Sequence, residues 1–157
     1  MGLDMYLSKR TYLGANYEHR NVKVNLEVHK EGKKVDIGIN PKKATYIEEE
    51  AIYWRKANAI HQWFVDNCQD GVDDCKEADV ELEDLIKLRN LCKRVTNDNS
   101  LAKELLPTHS GFFFGSTDYD EWYFKDIEET YEMLDELINN HKEAPGFYVS
   151  YSYTSSW

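Results

Sequence analysis

No stretch of this sequence approaches the roughly 20 consecutive apolar residues that cross a bilayer, so a membrane-spanning protein is not expected. Cysteines number only three, an odd count that rules out a fully paired disulfide framework. In a reducing compartment such thiols are buried, metal-bound or catalytic rather than oxidised. Prolines are as few, three in all, and neither a repeat nor a low-complexity tail interrupts the chain. The start, Met1-Gly2-Leu3-Asp4-Met5-Tyr6, lacks the basic and apolar regions of a signal peptide. Tyr6 stands where a myristoylation signal requires Ser or Thr. The protein is therefore expected to work in a cytoplasm. Gly-x-Ser-x-Gly, Walker A and Rossmann patterns are also missing, which removes the commonest sequence signs of hydrolase and nucleotide chemistry.

What the chain does contain is acid. Its formal net charge is −10, unevenly spread. Residues 1–43 hold nine Lys/Arg against five Asp/Glu, whereas residues 66–84 and residues 118–136 each hold nine acids and one base. Such a field disfavours nucleic acid as a direct ligand and favours a basic partner. The plainer reading is that these are solvated helix faces which keep the protein soluble.

At 157 residues the chain fits one domain with a core of its own. Leu3 to Tyr6 reads as a short strand. Val22, Val24, Leu26 and Val28 alternate with polar residues, as do Val35, Ile37 and Ile39, around Lys30-Glu31-Gly32-Lys33-Lys34. That is the pattern of a β-hairpin with one buried face. From about Ala44 to Asn67 the pattern is helical, with Tyr53, Ala57, Ile60, Phe64 and Cys68 on one apolar face. Asp70-Gly71 breaks it. A second helix is expected from about Asp79 to Val95, burying Leu85, Leu88, Cys92 and Val95, and a short one from Ser100 to Leu106 ending at Pro107. Gly111-Phe112-Phe113-Phe114-Gly115 reads as a short buried strand. Ser116 or Thr117 is placed to cap a helix over 118–141, with Tyr123, Ile127, Tyr131, Leu134 and Ile138 as its apolar stripe. Pro145-Gly146 turns the chain into a last strand over 147–153. The expected fold is a single α+β domain: an antiparallel sheet with an N-terminal hairpin, packed against three or four helices.

The sharpest constellation is His61, Cys68, Cys75 and Cys92. Three thiolates and an imidazole form a common closed shell for structural Zn²⁺, here between two helices. His61 and Cys68 are seven apart, about 10.5 Å along an unbroken helix, so shared ligation requires the helix to end or unwind near Asn67. The other reading is three buried thiols and a core histidine. Without His-Glu-x-x-His or an open fourth position, catalytic zinc is not expected. Cys75, among Asp73, Asp74 and Glu77, is no activated nucleophile. Tyr53-Trp54-Arg55-Lys56-Ala57-Asn58 mixes aromatics with two cations, fit either to line a pocket or to sit as a helix with solvated cations. At 115–118, Asp118, Asp120 and Glu121 would repel a phosphate, so capping explains Gly115-Ser116-Thr117 better than anion binding.

Met1 to Leu7, Tyr53 to Asn58 with His61 and Trp63-Phe64, Asp73-Asp74-Cys75, Leu105-Leu106-Pro107-Thr108, Gly111 to Asp120 and Ser155-Ser156-Trp157 together resemble a phage and prophage protein family. Residues 15–43 then look like a variable hairpin insertion. In size, context and metal the chain is similar to a zinc-containing type II anti-CRISPR protein. That resemblance implies a non-enzymatic inhibitor, in the host bacterial cytoplasm, of an RNA-guided DNA endonuclease, blocking target DNA loading or cleavage. Such a nuclease carries a basic channel that acidic surface could occupy. The alternatives are a small-ligand binder, such as a sponge for a nucleotide-like immune signal held by Arg55, Lys56 and aromatic neighbours, and, last, a zinc hydrolase.

Overall fold

The computed structural model describes residues 2–14 and 24–157. The strands are β1 (Asp4–Tyr12), β2 (Val28–Lys30), β3 (Lys33–Val35), β4 (Tyr46–Arg55), β5 (Ala78–Val80) and β6 (Tyr148–Ser156). The helices are α1 (Asn58–Cys68), α2 (Leu82–Asn97), α3 (Ala102–Leu105) and α4 (Glu121–Asn139). A mixed α+β fold results, with a four-stranded antiparallel sheet ordered β4-β1-β6-β5.

The chain divides into two compact units. The first comprises Met1–Lys9, Glu50–His141 and Ser150–Trp157; the second comprises Arg10–Glu49 and Lys142–Val149. β1, β4 and β6 are covalently continuous from one into the other.

In the first unit, β1 and the residue before it alternate as a half-buried strand should: Leu3, Met5 and Leu7 are wholly buried, with Asp4 and Tyr6 between them on the other face. Ile52 and Trp54 of β4 keep the same period. Each such side chain removed from water contributes about 1.5–3 kcal/mol before entropy is counted. α2 packs along α4. On α2, Leu85, Leu88, Cys92 and Val95 are buried as the periodicity predicts. On α4 the buried stripe is Tyr123, Ile127, Thr130 and Leu134; Thr130 takes the inward place expected of Tyr131, and Tyr131 and Ile138 are only half-buried.

In the second unit, the hairpin is real but short. β2 and β3 pair antiparallel through Val28↔Val35, His29↔Lys34 and Lys30↔Lys33. Its turn places Glu31 and Gly32 at positive φ, which only Gly adopts without cost. Val35, Ile37 and Ile39 are exposed, so the expected buried face of that strand does not form. Val22 lies outside the described residues.

Three other expectations are corrected. Residues 46–55 are a strand, not the front of a helix. The segment carries Tyr46, Ile47, Ile52, Tyr53 and Trp54, whose fit to a pleated surface outweighs the helix propensity of Glu48, Glu49, Glu50 and Ala51. Its ends are tied to β1 by Lys56 N–H to Leu3 carbonyl at 2.8 Å and Leu13 N–H to Thr45 carbonyl at 2.9 Å. Tyr53, expected inward, is exposed. Second, the cap of α4 is Asp120, whose carboxylate accepts from the Trp122 and Tyr123 amides, the acceptor geometry of an N-cap.

Third, residues 111–115 form a turn rather than a buried strand. Phe112 is 74% exposed and Phe113 41%, while Phe114 alone goes inward. Gly111 carbonyl accepts from Phe114 N–H at 3.3 Å. Phe113 sits at φ +67°, a conformation that costs a β-carbon-bearing residue energy. A Cβ added to Gly111 would stand 2.4 Å from the Phe114 ring, closer than atoms tolerate. Gly111→Ala is therefore expected to destabilise the protein by about 1–3 kcal/mol, read as a lower urea midpoint at unchanged m-value.

Candidate functional site

Two clusters in the first unit hold the residues singled out by sequence, and the first surrounds His61. α1 brings His61 to full burial. Its Nδ1 lies 2.7 Å from the Tyr153 hydroxyl and its Nε2 3.0 Å from Asp73 Oδ2. A carboxylate only accepts, so Nε2 donates to Asp73; in the neutral imidazole Nδ1 then accepts from the tyrosine. Asp73 Oδ1 also accepts from Trp157 Nε1 at 3.1 Å. The Tyr153 ring stacks on Phe64 at 4.1 Å, and Phe114 presents an edge-to-face contact to His61 at 5.0 Å. Burial, then Asp73, raise the Tyr153 hydroxyl well above the ordinary tyrosine range, so it stays a donor. This cluster locks the final strand to α1 and to the loop after it.

Of the four expected zinc ligands, His61, Cys68 and Cys75 lie in or near this cluster, whereas Cys92 neighbours Tyr123. α1 is regular through Cys68, its last residue, which puts Cys68 two turns beyond His61. Cys75 lies in the following loop at φ +59°. Cys68, Cys75 and Asp73 are all near enough to act electrostatically on Tyr153. Cys92 is buried on α2, where its thiol acts on Tyr123 of α4. Burial pushes both Cys68 and Cys92 up to about 12, with Asp84 adding to the effect at Cys68. Among the described residues no three His, Cys, Asp or Glu side chains are grouped to hold a metal ion. Zinc ligation by all four would require α1 to unwind near Cys68 and His61 to surrender a partner.

The second cluster is a cleft of about 360 Å³. The β4–α1 junction forms one wall. Lys56 adopts φ +59° there, unusual for a residue with a side chain. Its stem runs between two glycines: a Cβ on Gly2 would lie 3.2 Å from Lys56 Cε, and one on Gly115 3.4 Å from Lys56 Cβ. Among the described residues no acceptor pairs with its ammonium. Arg55 beside it is 3.9 Å from Asp4, at the limit of an ion pair.

The opposite wall is α4, with Trp122 at the rim, 65% exposed, and Asp126 one turn deeper. Ile60 and Ile127 supply apolar floor. Asn58 shapes the side between the walls. Its Nδ2 donates to Phe114 and Ser116 carbonyls at 3.2 and 2.8 Å, and its Oδ1 accepts from His109 N–H at 3.0 Å.

Of the stretch expected to line a pocket, Arg55, Lys56, Ala57 and Asn58 do so. Tyr53 instead donates to Asp4, and Trp54 is buried with its Nε1 on Thr130 Oγ1 at 3.0 Å. Trp122 and Asp126 escaped the sequence reading, although their spacing of four places them on one helix face. No protein family, curated protein or solved structure matches this chain.

Half-burial, then Glu129 and Asp120, push the Asp126 carboxyl up to about 6 from 3.8, against the lowering effect of Lys125. The folded state thus binds this proton more tightly than the unfolded chain. The associated stability is complete below about pH 4 and is lost as pH rises through about 6. Asp126→Asn, neutral at every pH, is expected to be more stable than the parent by about 1 kcal/mol at pH 8, a figure reduced for solvent screening. Thermal melts should show that advantage disappearing below pH 4.

Proposed function

We propose that this protein is a phage inhibitor that docks on a basic nuclease of the RNA-guided class and keeps target DNA from its channel. The reading rests on one arrangement: two exposed phenyl rings on a turn tied to the core, followed by an acid-faced helix. Phe112 and Phe113 pack edge to face at 4.3 Å on a turn whose backbone is held at Phe113 and Phe114. Leu3 N–H donates to Phe113 carbonyl at 3.4 Å, and Asn58 holds Phe114 carbonyl. Aromatics presented without an ordering cost are the usual energetic anchors of protein interfaces. α4 begins seven residues after Phe114, and Glu121, Glu128, Glu129, Glu132 and Glu136 are all exposed on it. Such acids steer a basic partner and add little to stability. The resemblance of the sequence to a phage family supplies the nuclease class.

Binding of the purified nuclease is the direct test. Phe112→Ala with Phe113→Ala should weaken association roughly thirtyfold, as loss of about 2 kcal/mol at an anchor implies. Changing Glu121, Glu128 and Glu132 together to Lys should slow association and flatten its salt dependence. Both variants should keep the parental melting temperature. Normal inhibition by both, with no salt effect, would end the proposal.

The zinc set His61, Cys68, Cys75 and Cys92 is part of the same proposal and is decided by metal analysis. One zinc per chain, with a melting temperature that falls on chelation, is the expected outcome. A metal-free folded protein with three titratable thiols overturns it.

A further inference from the structure

The cleft between Lys56 and Asp126 has no part in the docking proposal, and its chemistry is specific enough to name an occupant class. Its volume, about 360 Å³, lies at the small end of ligand sites. Its lining sets two cations, Arg55 and Lys56, against three carboxylates, Asp118, Asp120 and Asp126. At one end stands the Lys56 ammonium, unpaired among the described residues, with Arg55 beside it. At the other stands the Asp126 carboxylate, half-buried and likewise without a hydrogen-bond or ion-pair partner among the described residues. Lys56 does not figure among the groups acting on Asp126, which are Glu129, Lys125 and Asp120, so the two charges do not neutralise each other across the cleft. Each awaits a group from outside. Leaving a carboxylate half-desolvated and unpaired costs stability, as does the left-handed backbone at Lys56. Backbone strain at Lys56 and an unpaired, half-buried carboxylate at Asp126, both lining one cleft, form the pattern of a binding site.

The ligand must therefore bring an anion to Lys56 and a hydrogen-bond donor to Asp126. Trp122 adds a third demand. Its indole stands at the rim, mostly exposed and one helical turn from Asp126, with the Lys125 ammonium 5.9 Å from the ring centroid, and offers a platform for a planar ring. Anion, planar ring and donor groups in one small molecule describe a nucleotide. We propose that the cleft binds a nucleoside monophosphate, phosphate toward Lys56 and Arg55, base on Trp122, and a base amino or sugar hydroxyl on Asp126. Asp118 and Asp120 stand at the start of α4, where they would repel a phosphate, so the phosphate belongs at the opposite wall. A zwitterionic amino acid satisfies the two charges but leaves the indole unused. The glycines at 2 and 115 fit the same account, since a side chain at either would press on the Lys56 stem and shift its ammonium.

Isothermal titration calorimetry with AMP, adenosine and ribose 5-phosphate separates the three demands. AMP should bind at least about tenfold more tightly than either fragment. Lys56→Met should remove the advantage of AMP over adenosine and leave adenosine unchanged. Trp122→Ala, at an exposed position that folding does not depend on, should weaken AMP and adenosine alike by about tenfold and spare ribose 5-phosphate. Phe112→Ala should leave AMP binding intact, whatever it does to a protein partner. The proposal fails if AMP does not bind at millimolar concentration, if AMP and ribose 5-phosphate bind equally, or if Trp122→Ala changes nothing.

Discussion

A single buried amide holds together the surfaces on which this protein's chemistry depends. Asn58, the first residue of α1, is 5% exposed, and both N–H groups and the oxygen of its side chain are bonded to backbone. Its partners are His109, Phe114 and Ser116, three points on a loop that has no regular structure of its own. A loop of this kind has no ladder to satisfy its polar groups and ordinarily stays at the surface. Here one side chain supplies three of the missing partners, so the loop is drawn against α1 while Phe112 and Phe113 are turned outward. The energetic asymmetry is severe. Each backbone group left unpaired on loss of the amide would carry a desolvation cost of about 1–3 kcal/mol. The Phe114 ring, packed over Gly111 and against His61, extends the same constraint into the core.

The neighbouring junction carries the complementary constraint. β4 must end and α1 must begin within two residues, Lys56 and Ala57. That reversal is achieved by a left-handed residue, normally a role for Gly. Lys56 N–H bonds Leu3 carbonyl and Asn58 N–H bonds Lys56 carbonyl at 2.9 Å, so the strained backbone is over-determined on both sides. Gly here would relieve the strain and lose the ammonium. The strain is thus tied to the presence of a charged side chain at a defined place, with Gly2 and Gly115 leaving room for it.

These two features also explain how much was legible in the sequence. α2 and the core stripe of α4 followed from periodicity because nothing competes with burial there: Leu85, Leu88, Cys92 and Val95 recur as a helix requires. The strand over 46–55 did not. Its three consecutive glutamates are good helix formers, and the apolar stripe of α1 can be traced backwards as far as Tyr53. Only pairing with β1, through contacts between residues 32 to 53 positions apart, decides the matter. The turn at 111–115 is not legible in the sequence for a related reason. Three successive phenylalanines look like a buried strand by hydropathy, whereas the backbone is governed by Asn58, whose side chain lies more than 50 residues away. Arg55 and Lys56 were legible as cations beside a cleft. Trp122 and Asp126 were not, because the apolar stripe drew attention to Tyr123 and Ile127 on the adjacent arc.

That adjacency matters for function. At about 100° per residue, Tyr123, Ile127, Thr130 and Leu134 occupy one arc of α4 about 60° wide, and this arc is the core. Trp122 and Asp126 fall about 40° apart on the next arc, toward the cleft. Glu121, Glu128, Glu132 and Glu136 fall on a third arc about 80° wide, well away from the core stripe. One helix thus serves three masters without conflict, since no residue belongs to two arcs. An outward glutamate contributes to a long-range field but, across several ångströms of solvent, little to Asp126. Glu129 is the exception: it sits between the cleft and outward arcs and is the strongest charged neighbour of Asp126. A docking event that neutralised Glu129 would lower the cost of ionising Asp126. Under the two proposals, partner binding and ligand binding would then be coupled through that one residue, by a modest electrostatic effect rather than a change of shape.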